Sequence, residues 1–269
     1  MKQQQLINNW LIGSDIEFFV KRRDTAEIIT AEGIVKGTKD DPFMFDPNNK
    51  FFATSLDCVL MEGNIPPAKT PYEFYRNVNK LIKYMKSTLP ENVELVASAA
   101  ERLNYEHLMS SAAQTFGCQP SLNCWTGEEI HPEPTGDNLR AAGMHIHYGY
   151  ENPTEETNIL IGKAMDLHLG IASVLIEPEN ERKASGYGCA GNIRFQKHGG
   201  EYRSLSGYFA SSKNLIEWCF RNARTAINFV NKGKSHLIED MGEIIQKTIN
   251  TTDKETAYNI CQQFNIKIA

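Results

Sequence analysis

Four short stretches of this chain carry side chains whose types and spacing suit chemistry on charged phosphates. In Asp15-Ile16-Glu17-Phe18-Phe19-Val20 the two acids stand two apart. On a strand both carboxylates face one side, about 7 Å apart, while Phe18 and Val20 face the other and pack. Like charges on one face repel unless water or a cation neutralises them, and a hard cation such as Mg²⁺ prefers such oxygen donors. An exposed polar strand face has the same pattern. Glu62 ends an apolar run, Val59-Leu60-Met61-Glu62-Gly63-Asn64, with Cys58, Leu60 and Asn64 aligned on its face. That places it where a strand meets water or at the lip of a pocket. His145 and His147 alternate in Gly143-Met144-His145-Ile146-His147-Tyr148-Gly149. Two imidazoles on one strand face suit a metal or a phosphate, and the flanking glycines permit close ligand approach; plain packing is the alternative. Arg182, Arg194 and Arg203 surround Glu201 in sequence. They read either as a surface ion-pair ladder or as a metal ligand beside a phosphate clamp of rigid guanidinium forks.

Two familiar patterns are weaker. Gly37-Thr38-Lys39 resembles the end of a phosphate loop, but the preceding glycine is misplaced; Lys39 either meets a phosphate as a point charge or sits in a plain surface turn. Gly186-Tyr187-Gly188-Cys189-Ala190-Gly191 spells G-x-G-x-x-G. It follows polar residues and precedes a strand candidate, so it lacks the strand–turn–helix setting of a dinucleotide site and reads as a mobile loop. Together, acids and a His pair on four strands with arginines nearby describe a cradle for metal ions and phosphate, as phosphoryl transfer requires.

The elements that position these residues are legible in outline. Strands are expected at Trp10–Val20, Leu56–Asn64, Val93–Ala97 and Met144–Tyr150, with a hairpin from Ile193 to Leu205 turning through His198-Gly199-Gly200. Thr70-Pro71 starts a helix that runs to about Lys86 with Phe74, Val78, Leu81, Ile82 and Met85 on one face. Asn152-Pro153-Thr154 opens another, nearly all apolar from Ile159 to Leu175 and therefore buried. Ser211 is placed as the cap of a third, where Leu215, Ile216, Cys219, Phe220, Ala223, Ile227 and Val230 recur at helical spacing, and Ser235–Phe264 reads as two amphipathic helices. His131–Gly136 is read as a loop. No repeat or linker divides the chain, and strands and helices do not alternate regularly, so one α+β domain over residues 1–269 is expected, with a core at about 10–232 and a helical segment at 233–269.

Composition sets bounds. The chain has 269 residues, 41 % hydrophobic and 23 % charged, as in a globular protein. Lys and Arg number 28 against 33 acids, and this net charge of −5 argues against coating nucleic acid. Apolar runs fall short of a bilayer-spanning length, and Met1–Gln5 starts no export signal. A cytoplasmic protein with reduced thiols is expected. The six cysteines form no Cys-x-x-Cys, so a zinc ribbon is not supported.

At this point the motifs resemble a known superfamily. Asp15-Ile16-Glu17-Phe18-Phe19 resembles the Glu-x-Glu-Phe-Phe strand of glutamine synthetase, Gly143–His147 its Gly-Met-His-x-His strand, and Glu201-Tyr202-Arg203 its Glu-x-Arg strand, in the same order. More closely, the run is similar to the phage-associated carboxylate–amine ligases called COOH-NH2 ligase type 2. The matching stretches are Gly13–Phe19, Gly37-Thr38-Lys39, Asp57–Glu62, Phe116-Gly117-Cys118, Ala142–Gly149, Tyr187-Gly188 and Glu201–Ser206. The resemblance implies a curved, mainly antiparallel sheet cradle, glutamine synthetase-like, with helices on its outer face. It implies ATP with Mg²⁺ or Mn²⁺, small-molecule or peptide carboxylate and amine substrates, no nucleic acid, no membrane, and leaves room for a homo-oligomer. By resemblance, Glu17, Glu62, His145 and Glu201 bind two or more metal ions with Asp15 in support; His147 contacts nucleotide phosphate; Arg194 and Arg203 stabilise the transferred phosphoryl group. Lys39 and Arg182 are further candidates for binding the nucleotide. Asp15 stands where glutamine synthetase has Glu, and the chain is shorter. Two other readings remain: a metal hydrolase built on the His-x-His strand, and a nucleotide-binding relative without turnover.

Overall fold

A computed structural model of the chain describes residues 7–114, 121–130 and 138–269. Phe116-Gly117-Cys118 and the His131–Gly136 loop lie outside the described residues. The strands are β1 (Leu11–Arg22), β2 (Ile28–Ile29), β3 (Phe43–Met44), β4 (Ala53–Asp57), β5 (Leu60–Ala68), β6 (Val93–Val96), β7 (Ala100–Arg102), β8 (Ser121–Asn123), β9 (Glu129–Ile130), β10 (Leu139–Ala141), β11 (Met144–Gly149), β12 (Asn192–Gln196) and β13 (Gly199–Tyr202). The α-helices are α1 (Pro71–Thr88), α2 (Ser111–Gln114), α3 (Glu155–Met165), α4 (Ile171–Ile176), α5 (Lys213–Asn231), α6 (Gly242–Thr251) and α7 (Lys254–Phe264). The main sheet runs β3-β4-β5-β1-β11-β13-β12-β8-β9, with β2 and β6 also paired to β1; β7 and β10 form a separate ribbon. Among the described residues every pairing between these strands is antiparallel, and the path is open, with β3 and β9 at its ends. The mixed α and antiparallel β architecture is thus as expected.

Period-two alternation sorts this sheet into two faces. On one, Ile12 pairs with Tyr148, Ile16 with Met144 and Phe18 with Met61, while Ile146 pairs with Tyr202 and Tyr202 with Ile193. All are buried and form the outer, helix-covered face. There α1 packs on β5 and α5, and α3 packs on β12, β13 and α5. Gly63 lets α1 approach closely: a Cβ there would stand 2.5 Å from Leu81 Cδ1 and 2.7 Å from Met85 Cε. α1 begins as expected, with Pro71 in its first turn and Thr70 Oγ1 accepting the Glu73 N–H at 3.1 Å.

Several boundaries differ from expectation for local reasons. The cap of α5 is Ser212, not Ser211: Ser211 is helical and its N–H closes the preceding 3₁₀ turn onto Tyr208 O, whereas Ser212 is extended and accepts from the Leu215 N–H at 3.3 Å. The β12–β13 hairpin turns through Lys197-His198, because Gln196 already pairs with Gly199. Gly199 and Gly200 belong to β13 and admit Tyr148 of the neighbouring strand, whose backbone O would lie 2.1 Å from a Cβ at Gly199. α3 and α4 are joined by the π turn Asp166–Gly170. The resulting helix, Glu155–Ile176, has 22 residues and a mean hydropathy of 1.7 in its most apolar window. This corrects the view that no apolar run reaches bilayer length, but 72 % of that window is buried inside the molecule. At the C-terminal end a 3₁₀ helix, Lys234–Met241, precedes α6, and both α6 and α7 pack on α4.

Candidate functional site

The inner face of the sheet collects the polar residues. Antiparallel register places Asp15 opposite His145 and Gly13 opposite His147. It places His147 opposite Glu201, and Glu201 opposite Arg194. On the other side of β1, Glu17 faces Glu62 and Glu62 faces Ser55. Residues directly paired across a sheet share a face, so one face of the sheet receives nearly all the residues singled out from sequence. They fall into two groups joined through β1.

The first group centres on Asp15 and Glu201. Asp15 Oδ1 lies 3.0 Å from His145 Nδ1 and 3.3 Å from His147 Nε2, and His145 Nδ1 lies 3.5 Å from Glu201 Oε1. Arg203 Nη1 meets Glu201 Oε1 closely, Gln196 Nε2 donates to Glu201 Oε2 at 3.0 Å, and Arg194 Nη1 stands 3.5 Å from the same oxygen. Glu201 is only 1 % exposed. Its guanidinium partners are therefore far from a solvated surface ladder. Burial pushes the Asp15 and Glu201 carboxyls up. For Asp15, His145 and His147 outweigh burial and hold it well below its usual range; for Glu201, Arg203 and the same imidazoles lower it despite burial and Asp15. Burial pulls the His147 imidazole down, but the Asp15 carboxylate outweighs it and the imidazole is held protonated to higher pH than usual.

The second group is acid-rich. Lys39 Nζ lies 2.5 Å from Asp57 Oδ2 and 3.8 Å from Glu62 Oε2, and Ser55 Oγ lies 3.4 Å from Glu62 Oε2. Glu17 Oε2 accepts the Gly143 N–H at 2.5 Å. Burial, reinforced by Asp15, Asp57 and Glu17, pushes the Glu62 carboxyl up to about 8 despite Lys39; burial also raises Glu17. Burial would lower the Lys39 ammonium, but Glu62 and Asp57 raise it.

The residues fit a divalent cation. Asp15 Oδ1, His147 Nε2 and one Glu201 carboxylate oxygen offer ligand atoms within 4.8 Å of one another. Asp15 Oδ1 and His145 Nδ1 are close and buried, yet their contact is not aligned as a hydrogen bond. The mixed carboxylate and imidazole donors suit Mn²⁺ as well as Mg²⁺, whereas in the second group the Lys39 ammonium already stands against Asp57 and Glu62.

Two readings of individual residues change. Arg182 does not join Glu201: its Nη1 donates to Ser204 O at 2.7 Å and its Nη2 to Arg203 O at 3.5 Å, so it staples the backbone that carries Arg203. It is 4 % exposed, and Gly188, at φ +76°, is glycine because the guanidinium occupies the space a Cβ would take. Gly143 makes room for the protein itself: a Cβ there would stand 2.5 Å from His145 Nε2. Sequence reasoning missed Asp57, although Ser55-Leu56-Asp57 repeats the two-apart spacing of Asp15 and Glu17, and it missed Gln196.

The inner sheet face thus brings Asp15, His147 and Glu201 together beside the guanidinium groups of Arg194 and Arg203. The model of the family described as Phage phiEco32-like COOH.NH2 ligase-type 2 matches residues 138–266. That stretch, which holds β11, β12 and β13, resembles the phage-associated carboxylate–amine ligases, as its motifs suggested. Among solved structures, the chain is similar to a bifunctional glutathione synthetase from Pasteurella multocida, at 9 % identity and a TM-score of 0.48, over 96 % of this chain and 47 % of that one. The chain thus spans about half the length of that structure. A search of curated proteins finds no match.

Proposed function

We propose that this chain is an ATP- and divalent-metal-dependent ligase that joins a carboxylate to an amine through an acyl phosphate. One observation carries the reading: ligand atoms of Asp15, His147 and Glu201 converge within 4.8 Å, with Arg194 and Arg203 against Glu201. The family likeness over residues 138–266 supports the same chemistry. We read the concave sheet as a glutamine synthetase-like cradle, the whole chain as one catalytic domain, and the cytoplasm as its setting.

A carboxylate does not acylate an amine at neutral pH because its oxygen is a poor leaving group, and transfer of the ATP γ-phosphoryl group creates a good one. Asp15, His145, His147 and Glu201 would hold one cation, and Glu17, Glu62 and Asp57 a second. Bound there, the cations would neutralise phosphate charge. Arg203 and Arg194 are placed to steady the transferred phosphoryl group with fixed donors. Lys39 adds a point charge at the rim, and Arg182 keeps the Arg203 backbone in place. A hydrolase built on His145 and His147 alone would need neither guanidinium.

Hydroxylamine is a sensitive amine surrogate. Purified protein incubated with ATP, Mg²⁺, hydroxylamine and a panel of small and peptide carboxylates is expected to form a hydroxamate with at least one of them. Arg203→Ala should cut the rate by roughly 10²-fold or more. If no carboxylate yields hydroxamate or phosphate while the protein holds nucleotide, the catalytic reading fails and a binding role takes its place.

A further inference from the structure

Asp166 is fully buried and opens the π turn between α3 and α4, a local geometry that gathers at functional sites. It belongs to the helix layer behind the sheet. Its carboxylate accepts three donors from three separate elements. Trp125 Nε1–H, from the turn after β8, reaches Oδ2 at 2.7 Å; the Gly191 N–H reaches the same oxygen at 2.6 Å; the Tyr202 hydroxyl reaches Oδ1 at 2.8 Å. Among the described residues no ion pair to Asp166 is found. A buried carboxylate without a cation costs stability, so its presence calls for a reason. Only an acceptor-only group can take all three donors. An Asn there could still accept from Trp125 and Gly191, but its N–H₂ would face the Tyr202 hydroxyl and take away the acceptor of that proton.

What these donors carry points to the reason. Tyr202 is the last residue of β13, between Glu201 and Arg203 in the chain, with its side chain on the opposite face of the sheet from Glu201. Gly191, at φ +76°, closes the glycine loop. The next residue, Asn192, accepts the Arg203 N–H at 2.9 Å, and the loop's Cys189 O accepts from Ser204 Oγ at 2.8 Å. The loop therefore straps the segment bearing Arg203, and strand and strap are fastened together at Asp166. We infer that Asp166 is a positioning residue that, through Tyr202 and Gly191, sets Glu201 and Arg203 in register against Asp15 and His147. The inference rests on the reading of the cradle as a metal and phosphate site.

The test compares Asp166→Asn, Tyr202→Phe, their combination, and Met165→Ala as a buried control on the same helix, all well below their melting temperatures. Mn²⁺ binding is read by water-proton relaxation, and amide exchange is read by mass spectrometry over 186–206. Asp166→Asn is expected to weaken Mn²⁺ by about 10- to 100-fold, as loss of a group that orients metal ligands does, and to speed exchange over 186–206 but not over β5 and α1. Tyr202→Phe should give a smaller loss that does not add to it, and Met165→Ala should leave Mn²⁺ affinity unchanged. The inference is overturned if Asp166→Asn binds Mn²⁺ like the wild type, if Met165→Ala weakens binding equally, or if the two losses simply add. A wild type that binds no Mn²⁺ overturns the cradle reading and this inference with it.

Discussion

Removing the Arg203 guanidinium separates a buried structural pair from a surface one. Arg203 is 9 % and Glu201 1 % exposed, so Arg203→Met strands a carboxylate away from water. Breaking a buried ion pair from one side costs about 3–5 kcal/mol when nothing replaces the partner. Here Gln196 at 3.0 Å and Arg194 at 3.5 Å still face the carboxylate, which brings the expected loss to about 2–3 kcal/mol. For a chain of this size each kcal/mol shifts Tm by about 2–4 °C, so the melting point should fall by about 4–12 °C. Adding Glu201→Gln removes the stranded charge and should restore part of that loss. The assay is thermal unfolding of wild type, both single variants and the double variant at low salt. A single-variant cost within about 0.5 kcal/mol, typical of surface substitutions, or a double variant whose loss equals the sum of the two, would refute the buried-pair account.

Other expectations follow from the same geometry. Glu62 has a folded pKa raised from 4.5 to about 8, so between those values the folded state binds more protons than the unfolded state. Its contribution is full below about 4.5 and lost as pH rises to about 8; metal-free protein should lose stability across that window, and Glu62→Gln should flatten the slope in melts at stepped pH. Asp15 and Glu201, lowered in the fold, act the other way and lose their contribution only in acid. Gly63→Ala, with Leu81 and Met85 within 2.7 Å of the new methyl, should destabilise by about 1–3 kcal/mol in denaturant titration without altering Mn²⁺ affinity.

The cradle was legible where strands are half-buried. In β1 and β11 one face must be apolar, so the opposite parity stands out and aligns Asp15, Glu17, His145 and His147 from the residue order alone. Glu201 emerged the same way beside Arg203. Pairing across strands is invisible to such reasoning, which is why Asp57 was not joined to Lys39. Arg182 reads from sequence as a neighbour of Glu201 because its surroundings there are polar, whereas its guanidinium is folded under the glycine loop onto backbone carbonyls. Asp166 offers no local signal at all, since its three donors come from segments far apart in the chain. The hairpin turn slipped because Gly199-Gly200 looks like a turn, while the real need for glycine is the close approach of Tyr148.

In the proposed ligase the inner sheet face binds nucleotide through divalent cations held by Glu201 and its neighbours. Isothermal titration with a non-hydrolysable ATP analogue, with and without Mg²⁺, on wild type and Glu201→Ala tests it directly. Mg²⁺-dependent binding is expected in the wild type, with loss of that dependence in the variant. Absence of nucleotide binding under every metal condition, or equal Mg²⁺-dependent binding by Glu201→Ala, would contradict it.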